Sequence, residues 1–340
     1  MSFVERKRYT VNDQQAMQIA ITAADRARLI SRPNPWVGAV VVTPSGEIFQ
    51  GSTCRIGGPH AETEALRAAG SSAVDATIYT TLEPCNHTGR TGPCTEAIIE
   101  AGIKRVVIGV VDPDEKVSSR GIARLQEAGI NVVVGICADE ISIQLQAYLH
   151  HRKTKRPFVV LKMASTLDGR TAAPDGTSVW ITGETARQRV QQLRAQSDAI
   201  LVGAGTVRID DPMLTVRDVD GQSPRRIVLG EVSPSARVNP CTQWRGALVD
   251  LLDELGSQDV LQLLVEGGPT VAATFHRENL IDQYILHLAP AIAGGNDSLP
   301  LFEGRGISTM SEMWRGKITS TQMLGDDVEI IFEKTQDNRR

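Results

Sequence analysis

The segment PCNHTGRTGPC, residues 84–94, places two cysteines at the ends of one short, glycine-rich loop. In a chain with five cysteines, such a pair could form a disulfide, bind a metal ion, or be accidental. The odd number and wide scatter of the cysteines argue against a disulfide framework and for a reducing compartment. The sequence therefore favours a metal over a disulfide in this loop.

A histidine lies upstream of the loop, in the segment GGPHAETEAL. His60 and Cys94 each begin a predicted helix, and Cys85 follows a predicted strand, so that the three side chains can meet at one point. A helix N-terminus also favours the thiolate form of Cys94. One imidazole and two thiolates leave a fourth tetrahedral position for water, which is typical of a catalytic zinc site.

Glu62, two residues after His60, supplies a carboxylate beside this predicted site. Zinc lowers the pKa of a bound water to about 7, and a carboxylate can take that proton and return it to a leaving amine. A lone His-x-Glu on a helix is usually surface, but with the two downstream cysteines it is the signature of zinc-dependent base deaminases.

The spacing of the two cysteines departs from the usual Cys-x-x-Cys, since eight residues, NHTGRTGP, lie between them. This insertion carries His87 and Arg90 between glycines, which suits an anionic group such as a phosphate. A solvated polar loop is the alternative interpretation.

Length and composition indicate a well-packed protein of two domains. The chain has 340 residues, more than one hydrophobic core usually spans, with 22% charged and 41% apolar residues. The formal charge is −4, without a long run of lysine or arginine, which disfavours nucleic acid and anionic membranes as partners. Because there is no secretory h-region and no apolar run near the roughly 18 residues of a membrane span, we expect a cytoplasmic protein.

Helix and strand signals alternate along the first half of the chain. Thr10 is predicted to cap the first helix, and VGAVVV, ATIYTTL, RVVIGVV and NVVVGI are predicted strands between helical segments. This alternation indicates a three-layer α/β domain over residues 1–150. The basic stretch HHRKTKRP, residues 150–157, is interpreted as a linker to a second domain over residues 151–340.

The second domain has three glycine-containing turn signals. GAGTVR, residues 203–208, lacks the third glycine of a dinucleotide fingerprint and is equally well explained as a tight turn. Gly267 and Gly268 precede Pro269 at a predicted helix start, whose backbone N–H groups could hold a pyrophosphate. The Asp168–Gly169 pair predicts a hairpin turn.

Four motifs together resemble the bifunctional deaminase/reductase family of riboflavin biosynthesis. They are Asn34-Pro35 before Val37-Gly38, GPHAE at 58–62, TLEPCNHTGRTGPC at 81–94 and KMASTLDGRTA at 162–172. The similarity continues through VWITGETAR, LRAQSDAILVGAGTVRIDDPMLTVR and VEGGPTVAATF, and so covers almost the whole chain. The resemblance implies a cytidine-deaminase-like three-layer α/β/α domain followed by a dihydrofolate-reductase-like α/β domain.

The resemblance also implies two reactions. The first domain would use zinc to hydrolyse the 2-amino group of 2,5-diamino-6-ribosylamino-4(3H)-pyrimidinone 5′-phosphate, releasing ammonia. The second would use NADPH to reduce the ribosyl group to ribityl, giving 5-amino-6-ribitylamino-uracil 5′-phosphate. The implied partner is this small-molecule substrate, with neither nucleic acid nor membrane. A homo-oligomer is possible, and the sequence does not determine the oligomeric state.

By position, the resemblance assigns His60, Cys85 and Cys94 to zinc and Glu62 to general acid/base catalysis. It implies substrate contacts at Asn34, His87, Arg90, Ser178, Arg194, Leu214, Arg217 and Glu266. It implies cofactor contacts at Ala164, Trp180, Thr206, Asp210, Gly268, Pro269, Thr270, Val271, Ala272, Ala273 and Thr274. Arg194 and Arg217 suit a bidentate clamp on a phosphate. The resemblance is faintest over residues 230–259, and no residue distinguishes NADPH from NADH.

Two other interpretations share the predicted metal site. A nucleic-acid deaminase with an appended binding module is disfavoured by the acidic balance and by the absence of basic or aromatic clusters. A non-catalytic protein with a structural zinc would need a fourth ligand, for which Cys54 is the candidate.

Overall fold

The computed structural model describes residues 11–87, 92–114, 117–178 and 181–334. The chain forms two compact units, Met1–Thr154 and Lys155–Arg340. The boundary between the two units lies within the predicted linker of residues 150–157, but residues 150–154 are not a linker, because they belong to a helix that runs to Thr154. Burial of one side of this helix, including Tyr148 and His151, stabilises it despite its basic sequence.

The first unit contains a five-stranded sheet of order β2-β1-β3-β4-β5. Its strands are β1 Gly38–Val42, β2 Ile48–Ser52, β3 Thr77–Leu82, β4 Arg105–Val110 and β5 Asn131–Val134. Its helices are α1 Asp13–Asp25, α2 Ala61–Ala69, α3 Cys94–Glu100, α4 Arg120–Glu127, α5 Ala138–Gln144 and α6 Gln146–Thr154, with a 3₁₀ turn at Gly70–Ala73. Strand β1 pairs antiparallel with β2 and β3, whereas β3, β4 and β5 are parallel.

Helices cover both faces of this sheet. A Cβ atom on Gly38 of β1 would lie 1.9 Å from the backbone oxygen of Ala20, so α1 lies directly against that face. A Cβ on Gly51 of β2 would lie 2.2 Å from the backbone oxygen of Ala61 in α2. Because Gly51 pairs with Ala39, the neighbour of Gly38, the two glycines point to opposite faces. The predicted α/β/α layering is confirmed.

The second unit contains an eight-stranded sheet of order β10-β9-β8-β11-β6-β12-β15-β14 and a two-stranded sheet of β13 and β7. Its strands are β6 Phe158–Thr166, β7 Arg170–Ala172, β8 Ala199–Gly203, β9 Arg225–Leu229, β10 Thr242–Trp244, β11 Gln262–Val265, β12 Gln283–Ala289, β13 Leu299–Pro300, β14 Gly316–Leu324 and β15 Asp327–Lys334. Its helices are α7 Glu184–Ala195, α8 Ala204–Asp210, α9 Leu248–Ser257 and α10 Pro269–Arg277, with a 3₁₀ turn at Met310–Glu312.

The six strands from β10 to β12 of the large sheet are parallel, and β15 and β14 complete it in antiparallel pairing. In a sheet of parallel strands, ligands bind beyond the carboxyl ends of the strands. The segments that follow β6, β8 and β11 are therefore the place to look for a site.

The turn predicted at Asp168–Gly169 is present, since the Gly169 N–H donates to the Thr166 oxygen at 3.0 Å and Gly169 has a positive φ of 76°, but the predicted hairpin is wrong, because β7 pairs with β13 and not with β6. The carboxylate of Asp168 instead accepts hydrogen bonds from the backbone N–H groups of Ala293 at 3.1 Å and Gly294 at 2.8 Å. Asp168 thus fixes a distant loop rather than a two-strand turn. Among the described residues, no helix has the length and apolar character to cross a bilayer.

Two candidate active sites

Three predicted metal ligands come together in the first unit. Nδ1 of His60 lies 3.5 Å from Sγ of Cys85 and 3.3 Å from Sγ of Cys94. Of the residues that the structure describes, only these three form such a metal-binding group, with ligand atoms within 4.8 Å of one another. Cys54 is not part of it, and its thiol contacts the backbone oxygen of Ser52 at 3.9 Å. One imidazole nitrogen and two sulfurs are a donor set that fits zinc.

Different elements carry the three side chains. His60 is the N-cap residue of α2, and Cys94 is the first residue of α3. Cys85 follows the end of β3, and its sulfur accepts a hydrogen bond from the backbone N–H of Cys94 at 3.4 Å. The hydrogen bonds from the Cys94 thiol and from His60 lower the pKa of Cys85, whereas the adjacent Cys85 sulfur and burial raise the pKa of Cys94. Two thiols so close share one proton, and a divalent cation would stabilise both thiolates.

Glu62 is the second residue of α2 and lies beside this group. Its side chain is 3% exposed, and burial raises its pKa to about 7, although the positive charge of His60 opposes this rise. A carboxyl group with such a pKa can both take and give a proton near neutral pH, which suits general acid/base chemistry.

A cavity of about 510 Å³ opens over His60, Glu62 and Cys85. The predicted substrate residues Asn34 and His87 line it. Arg90 lies outside the described residues. The cavity is large enough for a small organic substrate.

Part of the wall of this cavity consists of residues that the sequence did not single out, Asp112, Asp114, Tyr148 and Arg152. The Tyr148 hydroxyl donates to Oδ2 of Asp112 at 3.0 Å, and Nε of Arg152 lies 3.5 Å from Oδ2 of Asp114. Burial raises the pKa of Asp112 to about 6. Because residues 150–157 were interpreted as a linker, the sequence analysis did not place Arg152 on a helix that lines the cavity.

Glu83 joins the metal-ligand segment to this wall. Its carboxylate is 3% exposed and lies two residues before Cys85. It accepts hydrogen bonds from four backbone N–H groups, those of Asp112 at 3.3 Å, Ser119 at 3.0 Å, Gly121 at 3.0 Å and Ile122 at 3.3 Å. These bonds hold the chain after β4 and the start of α4 against the segment that presents Cys85.

The second unit has a cavity of about 600 Å³ beyond the carboxyl ends of β6, β8 and β11. The predicted site residues that line it are Ala164, Ser178, Thr206, Asp210, Glu266, Gly268, Pro269, Thr270 and Val271. The predicted residues Arg194, Leu214, Arg217, Ala272, Ala273 and Thr274 are not among the described residues that line it. Trp180 lies outside the described residues.

Two helices begin at the rim of this cavity. Helix α10 starts at Pro269 with Gly268 as its N-cap residue, as predicted. A Cβ on Gly267 would lie 2.5 Å from the Val271 side chain, so only glycine permits this close turn. The tight turn considered for residues 203–208 is instead helix α8, which starts directly after β8. The glycine-lined start of α10 has room for a nucleotide phosphate against its backbone N–H groups.

Arg194 and Glu266 form a bidentate ion pair. Nε of Arg194 donates to Oε1 of Glu266 at 2.9 Å, and Nη2 donates to Oε2 at 2.7 Å. The guanidinium predicted to clamp a phosphate therefore holds the Glu266 carboxylate at the cavity. Arg217 is exposed, and Leu214 is buried with a positive φ of 54°. The substrate roles of these residues stay predictions.

Lys162 is a functional candidate that the sequence analysis missed. It lies on β6, inside the apolar run FVVLKMAST, and lines the cavity near Glu266. Burial lowers the pKa of its ammonium group, and the negative charge of Glu266 opposes this effect. A lysine inside an otherwise apolar strand is rarely structural, and this was the signal that could have identified it.

Comparisons with known proteins cover both units. The family model of the RibD C-terminal domain matches residues 157–330, and that of the cytidine and deoxycytidylate deaminase zinc-binding region matches residues 10–110. The riboflavin biosynthesis protein RibD of Chlamydia muridarum is 39% identical over 93% of this chain and 95% of its own length. The RibD protein of Escherichia coli is 37% identical over 94% of this chain and 98% of its own length.

Two solved structures are similar over nearly the full length. Acinetobacter baumannii RibD matches with a TM-score of 0.90 and 38% identity, covering 95% of this chain and 99% of that one. A diaminohydroxyphosphoribosylaminopyrimidine deaminase/5-amino-6-(5-phosphoribosylamino)uracil reductase from Thermotoga maritima matches with a TM-score of 0.85 and 33% identity. This match covers 95% of this chain and 98% of that one.

Proposed function

This chain belongs to the RibD family of riboflavin-biosynthesis enzymes, and from that membership we propose how its residues divide the two reactions. It is a bifunctional enzyme, a zinc-dependent deaminase and an NADPH-dependent reductase that carry out consecutive steps. In this proposal the deaminase is the unit Met1–Thr154 and the reductase is the unit Lys155–Arg340, a boundary four residues beyond the predicted one at residue 150. The substrate is 2,5-diamino-6-ribosylamino-4(3H)-pyrimidinone 5′-phosphate, and the product is 5-amino-6-ribitylamino-uracil 5′-phosphate.

In the deaminase, His60, Cys85 and Cys94 hold the metal. Zinc held by these three residues would acidify a water molecule and so supply the nucleophile for hydrolysis. A carboxylate oxygen of Glu62 takes the proton and gives it to the 2-amino nitrogen, which leaves as ammonia when the C–N bond breaks and a C–O bond forms. The raised pKa of Glu62 supports this role, because the carboxyl must be basic enough to hold the proton.

The rest of the deaminase cavity binds and orients the substrate. Asn34 and His87 line it beside the metal ligands and contact the pyrimidine. Arg90, from the segment between the two cysteines, supplies positive charge for the ribose phosphate. The hydrogen bonds that Glu83 accepts from Ser119 and Gly121 keep the start of α4 in place against the segment that carries Cys85. This order at the cavity fixes the substrate relative to Glu62.

In the reductase, the start of α10 holds the cofactor. Residues 268–274 would contact the cofactor, with the free backbone N–H groups of the first turn of α10 toward its pyrophosphate, and Ala164, Trp180, Thr206 and Asp210 would make further contacts. NADPH bound there would supply the hydride that C1 of the opened ribosyl group needs. The ammonium of Lys162 supplies, from Nζ, the proton that the adjacent nitrogen needs as the C=N bond becomes C–N. Ser178, Arg194, Leu214, Arg217 and Glu266 contact the substrate.

The first experiment is an assay of both steps together. Purified protein is incubated with the diaminopyrimidine ribosyl phosphate and NADPH, and the products are identified by mass spectrometry. We expect a product that is both deaminated and reduced. Deamination without reduction would contradict the reductase assignment, and no change in a zinc-loaded protein would contradict the proposed substrate. The juxtaposition of His60, Cys85 and Cys94 with Glu62 in one cavity is the observation that carries this proposal.

Zinc content tests the assigned ligands. We expect Cys94→Ser to lose most of its bound zinc, because the hydroxyl replaces a thiolate ligand. Cys54→Ser is the matched control and should keep one zinc per chain, since its thiol lies outside the group. Zinc is measured in the purified proteins by atomic emission. Zinc loss in Cys54→Ser would instead favour a closed, structural site.

The partners and location follow from surface chemistry. We propose that the enzyme acts on a small molecule in the cytoplasm, with neither nucleic acid nor membrane as partner, which is supported by its acidic balance and by five cysteines of which none forms a disulfide. A homo-oligomer would use β14, the edge strand of the large sheet, whose residues 316–323 are exposed. Exposed edges readily pair with another strand.

A further inference from the structure

Arg208 brings an exposed positive charge to the reductase cavity. Among the described residues that line this cavity, the only lysine or arginine side chains are Lys162, which is partly buried, and Arg208, which is exposed on α8. Nη2 of Arg208 lies 3.8 Å from the position that a Cβ on Gly205 would occupy, and Gly205 also lines the cavity. The guanidinium therefore lies over the junction of β8 and α8, at the cavity rim.

The charge of Arg208 is not neutralised by the two exposed acids of this cavity. The Asp210 carboxylate, two residues further along α8, forms no ion pair with Arg208 in the described part of the chain. The Glu303 carboxylate accepts a hydrogen bond from the Thr270 hydroxyl at 2.6 Å. Within the described part of the chain, the Arg208 guanidinium makes no hydrogen bond or ion pair. An anion from outside the chain can therefore use all of its donors.

Helix α8 begins next to the start of α10. A Cβ on Gly268 would lie 3.6 Å from the Thr206 hydroxyl, and a Cβ on Gly203 would lie 2.9 Å from the Val271 side chain. A molecule whose pyrophosphate binds at the start of α10 therefore also lies next to the start of α8. The redox end of that molecule must reach Lys162, so its other end extends toward the rim, where Arg208 lies.

We propose that Arg208 binds the 2′-phosphate of NADPH and makes this reductase prefer NADPH over NADH. The inference rests on the proposed function, namely that this cavity holds the cofactor. NADPH and NADH differ only by that phosphate, on the adenosine ribose. A planar guanidinium binds a phosphate through two parallel N–H groups, and here no carboxylate of the chain competes for them.

Direct binding measurements on the full-length protein test the proposal. The affinities of wild type, Arg208→Gln and Arg245→Gln are measured for NADPH and NADH by fluorescence titration, and for 2′,5′-ADP and 5′-AMP by calorimetry. Arg245 is a matched control, because it is an exposed arginine of the same unit that pairs with Glu231 and does not line the cavity. Circular dichroism verifies that the variants fold.

We expect Arg208→Gln to weaken NADPH and 2′,5′-ADP by about 10- to 100-fold, the usual effect of losing a charge-assisted contact. Its affinities for NADH and 5′-AMP should not change, and Arg245→Gln should behave as wild type. Equal losses for NADPH and NADH would place Arg208 on the pyrophosphate and overturn the proposal, as would no loss at all. A wild-type protein that binds neither dinucleotide would contradict the cofactor cavity itself, before any variant is compared.

Discussion

Replacement of Glu62 with glutamine is expected to abolish deamination while zinc content and reduction persist. The amide keeps the size of the side chain but cannot take a proton from water or return it to the leaving amine. General acid/base groups typically contribute about 10²- to 10⁴-fold to a rate, so the loss should be of that order or larger. Ammonia release measures deamination, and NADPH oxidation with the already deaminated substrate measures reduction.

A control for Glu62 lies on the same helix. Glu64 is a partly exposed residue paired with Arg67 at 2.6 Å, and Glu64→Gln should leave both activities unchanged. This pair of variants separates the effect of the buried carboxyl from any effect of lost charge on α2. If Glu62→Gln released ammonia at the wild-type rate, the assigned proton transfer would be wrong.

The metal group could be predicted because its determinants are local. A Gly-Gly-Pro turn before His60 and a proline before each of Cys85 and Cys94 mark the ends of helices and strands, and parallel packing brings such ends together. The same local signals predicted the strands of the first sheet. They were less reliable for exact caps, since α1 is capped by Asn12, whose side chain and backbone exchange hydrogen bonds with Gln15, and not by Thr10.

The residues that could not be predicted depend on long-range contacts. The basic composition of residues 150–157 suggested a linker, whereas residues 150–154 belong to helix α6, which is stabilised by burial of Tyr148 and His151 and carries Arg152 to the cavity wall. Arg194 was expected to clamp a phosphate, but no local pattern shows that Glu266, 72 positions away, accepts hydrogen bonds from its Nε and Nη2. The residue type indicates which hydrogen bonds and charges a side chain can offer. Only the packing of distant segments decides which partner it contacts.

Lys162 could not be assigned a role from local sequence either, and its replacement is expected to have a large effect on reduction. We expect Lys162→Met to reduce the turnover number of the reductase by about 10²- to 10⁴-fold, because methionine holds no proton for the nitrogen beside C1. The stem of the new side chain fills similar space on β6, so the fold and the affinity for NADPH should persist. Steady-state NADPH oxidation with the deaminated substrate gives the turnover number, and ammonia release should be normal.

The pH dependence of reduction separates the proton on Lys162 from its charge. Burial lowers the pKa of Lys162, so the ammonium form is lost as pH rises through a value below that of an ordinary lysine, and the wild-type rate should fall there. Lys162→Arg keeps the positive charge near Glu266 but binds its proton too tightly to give it up. We therefore expect this variant to be slow at every pH and to lack the wild-type fall. A fast Lys162→Arg enzyme would mean that Lys162 acts only as a fixed charge, and another group must then supply the proton.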